Sequence, residues 1–277
     1  TASKPLRRLE DAAGTPLFER MDGRMMPTTE ALILAREANH LIDEWGTYQN
    51  LITNISRRSG DRLRVAASPT YSATIMPRLL KRMSVQHSEV HIQCDVLPTT
   101  AIVDATALGK LDVGIVHYTE AEPKAVATPI CKASVVCIMP TDHPLTQKSV
   151  VEASDFKDWQ LVGYRRDLPL ARMIGEHLGT HGVLPNVSVE ANYTSLIRDL
   201  VRLGAGIAVI DPFTLLFEVP DDIQIRPIKP IIEVTMAAIY AQNRPLSRNA
   251  KMFVQTLRDT LPPSTLQGGK IKIFDAK

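Results

Sequence analysis

The residues best suited to chemistry are hydroxyl side chains that stand where strand-like segments run into helix-like ones. They occur in the stretches AASPTYSA and VLPTTAIVD and are Ser68, Thr70, Thr99 and Thr100. The N-terminus of a helix has unpaired backbone N–H groups, and a short hydroxyl there caps the helix and helps to bind an anion. Any one of these residues alone is best explained as a helix cap. Two such junctions between a strand and a helix in one half of the chain favour a cleft that binds a carboxylate.

A third junction of this kind lies in the stretch EANYTSLIRDLVRLGAGIAVID, where Asn192, Tyr193 and Thr194 precede the next helix-like segment. Gly204 and Gly206 end that segment, and helix termination is sufficient to explain both glycines. The second half of the chain therefore also presents polar side chains at a strand end.

The histidines and cysteines form no recognisable catalytic or metal-binding motif. The sequence has no HExxH, no GxSxG elbow, no GxxxxGK[ST] loop and no GxGxxG after a strand. His177 and His181 are four residues apart, but no cysteine or clear carboxylate ligand accompanies them. Cys94, Cys131 and Cys137 lie singly in apolar strand-like runs, which favours structural thiols over a disulfide framework. We therefore expect neither an enzyme nor a metal site nor a cofactor.

Composition is that of an ordinary globular protein. The 277 residues are 44% hydrophobic and 22% charged, with a net charge of +2. No apolar run approaches the roughly 20 residues of a membrane helix, and the chain does not open with the pattern of a signal peptide. We expect a cytoplasmic protein that does not bind membranes. The charge alone does not indicate a nucleic-acid-binding protein.

The pattern of the sequence changes near residue 60. Residues 31–55 contain no proline, and apolar residues follow one another at spacings of four and three: Leu34, Ala38, Leu41, Trp45, Tyr48, Ile52 and Ile55. This averages 3.5 residues, the period of a coiled-coil seam, so we expect a dimerisation helix. The alternative is an amphipathic helix that packs on its own chain. The stretch SRRSGDR that follows is typical of a solvated hinge.

After the hinge, strand-like and helix-like segments alternate, which predicts α/β units with largely parallel sheets. The strand-like segments are RLRVAAS, HIQCDVL, LDVGIVH, SVVCIM, QLVGY, NVSVEA, GIAVID and EVTMAAIY. This part of the chain is longer than one sheet needs, so we expect two lobes. The first would take about residues 62–138 and 242–261 and the second about 139–241, while the tail at 262–277 would hang off the fold.

Near its beginning the chain contains SKPLRRLEDAAGTPLFERMDGRMMPTTEALILAREA. This stretch follows a pattern that is roughly S-R-x-[IL]-R-x-L-E-x-x-x-G-x-x-L-F-x-R, then a Gly-Arg wing, then L-T-x-A-G. The matching residues are Ser3, Lys4, Leu6, Arg7, Leu9, Glu10, Gly14, Leu17, Phe18, Arg20, Gly23, Arg24, Thr29 and Ala31. The stretch closely resembles the second half of the winged helix-turn-helix of LysR-type transcriptional regulators. The resemblance continues through LGKLDVGIVH, IMPTDHPL and LVRLGAGIAVIDPF and covers about residues 1–261.

This resemblance implies a mixed fold in three parts. Residues 1–30 would be the C-terminal part of a winged helix-turn-helix, so that the chain begins inside that motif as an N-terminally truncated regulator. Residues 31–58 would be the linker and dimerisation helix, and 62–261 a two-lobed α/β effector domain like type 2 periplasmic binding proteins. Leu9, Leu17 and Phe18 would form the core of the small domain. Pro5 is compatible with a helix that starts near Ser3, because proline is tolerated in the first turn.

The resemblance also implies contacts with double-stranded promoter DNA. The residues implied are Ser3, Lys4, Arg7, Arg8, Arg20 and Arg24. A helix with Ser3 and Lys4 nearest the base edges would enter the major groove, and the arginines would contact phosphates or guanine. Arg20 and Arg24, on the turn and wing, would contact the backbone or minor groove. A homodimer or homotetramer would span two half-sites.

The stretches LVRLGAGIAVIDPFT and ASPTYSA look like the branch of the family that controls amino-acid and opine metabolism. The resemblance implies an amino-acid-like or opine-like effector whose carboxylate is bound by Ser68, Thr70, Thr99 and Thr100. Asn192, Tyr193 and Asp211 would close on it from the other lobe. Two alternatives remain: a regulator-like protein that binds ligand but not DNA, and a free-standing solute-binding protein.

Overall fold

The structure is a computed structural model that describes residues 3–21, 24–56, 62–118, 125–262 and 271–274. The chain divides into two compact units, residues Thr1–Ser59 and Gly60–Lys277. The boundary falls within the stretch expected to be a hinge, most of which lies outside the described residues. No helix in the described parts of the chain is long and apolar enough to cross a membrane.

The smaller unit contains a helix, a hairpin and a long helix. These are α1 (Ser3–Ala13), β1 (Phe18–Met21), β2 (Arg24–Pro27) and α2 (Thr29–Ser56). Strands β1 and β2 pair antiparallel. The assignment of these elements to part of a winged helix-turn-helix, with Pro5 in the first turn of α1, stays a prediction. The Thr28 hydroxyl accepts a hydrogen bond from the amide of Ala31 at 3.3 Å and so supports the start of α2.

The expected core of this unit is only partly correct. Leu17 is buried, with 2% of its surface exposed, and Ala31 lies beside it among the buried residues. Leu9 and Phe18 were expected in the core but are 50% and 37% exposed. The reason is that the helix and hairpin enclose little volume, and these two side chains lie outside it.

Helix α2 is continuous over Thr29–Ser56, close to the expected span of 31–58. The predicted seam residues Leu34, Ala38, Leu41 and Trp45 are exposed on it. The side chains of Tyr48, Ile52 and Ile55 lie outside the described residues. A dimer seam requires exposed apolar side chains at this spacing, and dimerisation by α2 stays a prediction.

The larger unit contains strands β3 to β14 and helices α3 to α7. In chain order these are β3 (Arg62–Ala67), α3 (Pro69–Gln86), β4 (His91–Val96), α4 (Thr99–Ala107), β5 (Val113–Tyr118), β6 (Ala125–Ser134), β7 (Val136–Pro140), β8 (Val151–Glu152), β9 (Gln160–Tyr164), α5 (Pro169–Gly179), β10 (Asn186–Ala191), α6 (Thr194–Arg202), β11 (Ala208–Ile210), β12 (Ile223–Lys229), β13 (Glu233–Ala241), α7 (Arg248–Thr260) and β14 (Ile271–Ile273). Short 3₁₀ helices cover Pro144–Gln147, Ala153–Asp158 and Pro212–Leu215.

Two mixed sheets define the two lobes of this unit. In the first lobe the strand order is β14-β6-β13-β5-β3-β4, and in the second β11-β7-β12-β8. The pair β10-β9 extends the second sheet through a bridge between Leu161 and Ile207. Strands β3, β4 and β5 are parallel, but β13 runs antiparallel to both β5 and β6. The expectation of largely parallel sheets was therefore wrong, because the chain returns to the first lobe through an antiparallel strand.

The lobe boundaries also differ from the expected ones. Strand β13 was assigned to the second lobe, but it pairs over its whole length with β6 in the first sheet. Strand β7 begins the second lobe at Val136, two residues after β6 ends. The two segments that connect the lobes lie side by side, because the backbone amide of Val135 donates a hydrogen bond to the carbonyl of Ile232 at 2.9 Å. Among the described residues, the first lobe thus takes 62–134, 233–262 and 271–274, and the second takes 136–229.

The tail was expected to hang off the fold, and for its described part this is wrong. Strand β14 pairs antiparallel with β6, and the amide of Phe274 donates to Ile130 at 2.9 Å. Buried Arg258 of α7 donates to the carbonyls of Phe274 and Pro129. The alternating pattern KIKIF fits an edge strand, because every second side chain then faces the lobe.

Candidate functional site

The carboxylate of Asp211 is the centre of a polar cluster between the two lobes. Asp211 follows β11 and begins the 3₁₀ helix Pro212–Leu215, where its Oδ1 accepts a hydrogen bond from the amide of Phe213 at 3.0 Å. The residue is 0% exposed. A buried carboxylate is costly unless hydrogen bonds or an opposite charge compensate it, so its partners decide what the site can do.

Two hydroxyls of the second lobe meet the other oxygen of this carboxylate. Thr194, the first residue of α6, donates from Oγ1 to Asp211 Oδ2 at 2.9 Å, and Tyr164 at the end of β9 lies 3.1 Å from the same oxygen. The two hydroxyl oxygens are 2.8 Å apart. Burial and the neighbouring Asp211 charge raise the pKa of Tyr164 well above its ordinary value, so its hydroxyl stays protonated.

The first lobe joins this cluster through Thr70 of α3. Its Oγ1 lies 3.2 Å from Thr194 Oγ1. A threonine hydroxyl has one proton, and that of Thr194 goes to Asp211. Thr70 is therefore the donor in this contact, and a chain of hydrogen bonds runs from the first lobe through Thr194 to the carboxylate.

His117, at the end of β5 in the first lobe, faces the same carboxylate. Its Nε2 lies 3.8 Å from Asp211 Oδ2, beyond hydrogen-bonding distance. The rings of Tyr71 and Phe213 have centroids 4.9 and 5.8 Å from the imidazole. Burial lowers the pKa of His117 and the Asp211 charge opposes this only in part, so the imidazole is neutral near pH 7. Burial, followed by the Asp211 charge, raises the pKa of Tyr71.

Four buried side-chain atoms in the described residues have no hydrogen-bond partner, and all belong to this part of the fold. They are Ser68 Oγ, Tyr71 OH, His117 Nε2 and Thr214 Oγ1. Most buried polar atoms in folded proteins are hydrogen-bonded, so a group of exceptions requires an explanation. The residues come from both lobes, and a bound polar molecule between the lobes would provide the partners.

Two cavities lie along the boundary between the lobes, one lined by His117 and the other by Thr214, which both carry an unpartnered atom. One of about 590 Å³ is lined by His117 and Tyr118 of the first lobe and by Pro169, Leu170 and Met173 of the second. The other, of about 530 Å³, is lined by Thr74 and Arg78 of α3 and by Thr214 and Phe217 across the boundary. The guanidinium of Arg78 stacks on the Phe217 ring at 4.0 Å, a second contact between the lobes. Both volumes are within the range of small-molecule sites.

The structure brings together some of the residues predicted to bind the effector, and not others. Thr70 and Asp211 belong to the cluster, and the buried hydroxyl of Ser68, two residues before Thr70, has no hydrogen-bond partner. Neither Ser68 nor the threonines of α4 cap their helices through their side chains, contrary to the simpler interpretation. The remaining predicted residues, Thr99, Thr100, Asn192 and Tyr193, have no described hydrogen bond to the cluster. Asn192 and Tyr193 are exposed at the turn before α6.

Sequence reasoning missed three residues that the structure places around Asp211. The sequence places Thr194 at a junction between a strand and a helix, but its exposed neighbours Asn192 and Tyr193 were predicted to bind the effector instead. Tyr164 ends a correctly predicted strand, and its position at a carboxyl end was an available signal. His117 gave no such signal, because a single histidine in an apolar strand is equally typical of a core residue.

The residues predicted to contact DNA lie in the smaller unit. Lys4, Arg7 and Arg8 are exposed on α1, and Arg20 is exposed on β1. The side chains of Ser3 and Arg24 lie outside the described residues. Exposure leaves these cations available to phosphates, but their contact with DNA stays a prediction.

The cysteines and acidic residues provide no alternative metal centre in the described parts of the chain, where no group of three or more potential ligands was found. Cys131 and Cys137 are buried and Cys94 is half-buried. Burial raises the pKa of the Cys131 thiol to about 12. These thiols behave as apolar packing groups.

Comparison with known proteins agrees with this architecture. The family model of the LysR substrate binding domain matches residues 56–262. Regulatory protein NocR of Agrobacterium tumefaciens is 25% identical over 259 residues, which cover 94% of this chain and 86% of NocR. The octopine catabolism/uptake operon regulatory protein OccR of Rhizobium meliloti is 26% identical over 242 residues, or 87% of this chain and 80% of OccR.

A solved structure shows the same fold. The regulatory domain of CcmR from Synechocystis PCC6803, in complex with 2-PG, superposes with a TM-score of 0.64 at 22% identity. The match covers 72% of this chain and 97% of that domain. Because the substrate-binding-domain model spans more than half of the sequence and the two-lobed fold agrees with it, the chain belongs to the LysR family of transcriptional regulators.

Proposed function

We propose that the chain senses a small amino-acid-like or opine-like effector in the cluster between its lobes and alters promoter binding in response. The observation that carries this proposal is the group of four buried polar atoms without partners around Asp211, contributed by both lobes. The name of OccR, which refers to octopine catabolism and uptake, supports the opine class. Ser68 and Thr70, beside the N-terminus of α3, would bind the effector carboxylate.

The mechanism is a shift between arrangements of the two lobes. A molecule that binds residues of both lobes stabilises the arrangement in which they are close, because only there does it make all of its contacts. The Thr70–Thr194 hydrogen bond and the Arg78–Phe217 stack join the two lobes in the structure, and a larger separation of the lobes would break both. In an oligomer, the change would alter the angle between DNA-binding units and the bend of the DNA.

The smaller unit would contact promoter DNA through Lys4, Arg7, Arg8 and Arg20, with Ser3 and Arg24 beside them. Helix α2 would join two copies into a homodimer, and further contacts could give a homotetramer. We place the protein in the cytoplasm, where promoters are accessible, and assign it no enzymatic activity, metal or cofactor. Thr99, Thr100, Asn192 and Tyr193 would contact the part of the effector nearest the mouth of the cleft.

Calorimetric titration and thermal unfolding with amino acids, opines and simple organic acids test the effector proposal. A ligand at 100 times its Kd stabilises a protein by about 2.7 kcal/mol, which raises the Tm of a domain of this size by a few degrees. Replacement of Ser68 by alanine should weaken binding about tenfold, the effect of one hydrogen bond to a charged group.

The matched control is Ser84→Ala, because Ser84 is exposed on the same helix and its hydroxyl donates only to Lys81. If no compound of the panel bound to or stabilised the folded chain, the proposed effector class would be wrong. Equal affinities of the parent chain and Ser68→Ala would overturn the assignment of the site.

A further inference from the structure

We propose that the effector carries a cationic nitrogen, and that this nitrogen binds between His117 Nε2 and Asp211 Oδ2. The inference rests on the proposed function and assigns the two residues that bind the nitrogen of such an effector. It does not follow from the sequence resemblance, because His117 was not among the residues that the resemblance implied.

The first argument is the charge of the cluster. Asp211 has hydroxyl and amide donors, but among the described residues no lysine or arginine pairs with it, and the cation-forming group nearest to it is His117. Burial lowers the pKa of His117, so that ring does not supply a positive charge near pH 7. Tyr71 and Tyr164, the other titratable groups that face the carboxylate, have raised pKa values and are neutral. A buried carboxylate without a counter-charge favours a ligand that brings one.

The second argument is geometry. In the tautomer of neutral His117 with its proton on Nδ1, Nε2 is an acceptor, and this atom is buried without a partner. It lies 3.8 Å from Asp211 Oδ2. A single nitrogen can therefore stand about 2.9 Å from both acceptors and donate one proton to each, as an ammonium or guanidinium does.

The third argument is the aromatic surroundings. Tyr71 and Phe213 pack edge-on at 5.2 Å, and both lie against the imidazole of His117. Aromatic rings around a desolvated site stabilise a cation. The buried, unpartnered hydroxyl of Ser68, at the start of α3 in the first lobe, is a donor that suits the carboxylate. The effector is thus dipolar, with its cationic end at Asp211.

Matched ligand pairs that differ in one charged nitrogen test this proposal by calorimetric titration of the full chain. Suitable pairs are arginine with citrulline, lysine with norleucine, and an α-amino acid with its α-hydroxy analogue. For the best-bound amine we expect the uncharged partner to bind at least about tenfold more weakly, as for loss of a charge-assisted hydrogen bond. In Asp211→Asn this preference should fall to about threefold or less.

A control variant and an alternative variant separate a specific effect of Asp211→Asn on ligand preference from a general effect on folding. Asp142→Asn, an exposed aspartate of the second lobe, should keep the full preference. If Asp211→Asn does not fold, His117→Phe decides, because it keeps a ring of similar shape but removes the acceptor. We expect that variant to weaken binding of the amine and to leave the uncharged partner unchanged.

Two results would overturn the inference in different ways. Tight binding of a neutral or anionic ligand, with no gain from the nitrogen, would overturn it and leave the proposed effector site standing. Absence of binding by every cationic, neutral and anionic member of the panel, in a folded chain, would overturn both proposals.

Discussion

At the scale of single residues, the hydroxyl of Thr194 links the two lobes. It donates to Asp211 at 2.9 Å and accepts from Thr70 of the other lobe, while the Tyr164 hydroxyl lies 2.8 Å away. Because the threonine proton is committed to the carboxylate, the contact between the lobes depends on the lone pairs of the same oxygen. The position was visible in the sequence only as a junction between a strand and a helix.

Replacing Thr194 by valine tests this role. Valine keeps the shape but removes both the donor to Asp211 and the acceptor for Thr70, so a buried carboxylate loses one of its described donors. We expect the free energy of unfolding to fall by about 1–3 kcal/mol, measured by denaturant titration. Thr100→Val, at an exposed threonine of the first lobe, should change it little. Equal stabilities for the two variants would show that the hydroxyl of Thr194 is not needed.

At the scale of elements, the first lobe packs α4 tightly on the sheet at Gly114 of β5. A Cβ added at Gly114 would lie 2.2 Å from Ile102 Cγ2 of α4 and 2.9 Å from Ile239 Cγ1 of β13. These are branch atoms of buried side chains, and they cannot move without shifting the helix or the strand. The glycine sets the distance between α4 and the sheet.

Paired alanine substitutions test this packing. Gly114→Ala should destabilise the chain by about 1–3 kcal/mol through overpacking. Gly175→Ala should instead stabilise it by about 0.5–1 kcal/mol, because Gly175 is exposed inside α5 and a Cβ there meets nothing within 4 Å. Thermal unfolding of both variants beside the parent chain gives the comparison. We expect Gly114→Ala to lower the Tm and Gly175→Ala to raise it. An unchanged Tm in Gly114→Ala would contradict the tight contact between α4 and the sheet.

The elements also show what sequence patterns can and cannot predict. Strands such as β3, β5 and β13 were predicted because they are short segments rich in apolar residues, without proline, between turn signals. Strand β6 was missed because Pro129 interrupts it, yet this proline lies at the register shift opposite Met236 and Ala237, where regular pairing is already broken. Strand β12 was missed for a similar reason, since it contains Pro227.

The site was predictable to the extent that it lies at strand ends. Ser68, Thr70 and Asp211 were selected in this way, because the polar residue after an apolar strand is a local signal, and their contact with an effector stays a prediction. Asp211 and His117 approach each other across the two lobes. They are far apart in the sequence, and no local sequence pattern connects them. Side chains that meet only through tertiary packing require the fold to be known first.

At the scale of the whole molecule, the proposed mechanism lets effector binding act on DNA through two copies that are held together. Two reading helices must be spaced to match two half-sites, and lobe movement in one copy must displace the other. The described part of α2 presents Leu34, Ala38, Leu41 and Trp45 as exposed residues at the spacing of a coiled-coil seam. An exposed apolar stripe of this kind is unfavourable in water unless a second helix covers it.

Sedimentation equilibrium of the full chain tests dimerisation by α2. The parent chain should sediment at about twice the 30.6 kDa of one copy, or at a higher multiple. Leu41→Glu places a charge in the predicted seam and should lower the mass toward that of one copy, since an unpaired charge at such a position opposes association. Asn39→Glu adds the same charge on another face of α2 and should leave the mass unchanged. If both variants kept the parent mass, copies of the chain would associate through another surface, and the effector-driven change in angle would have to act there.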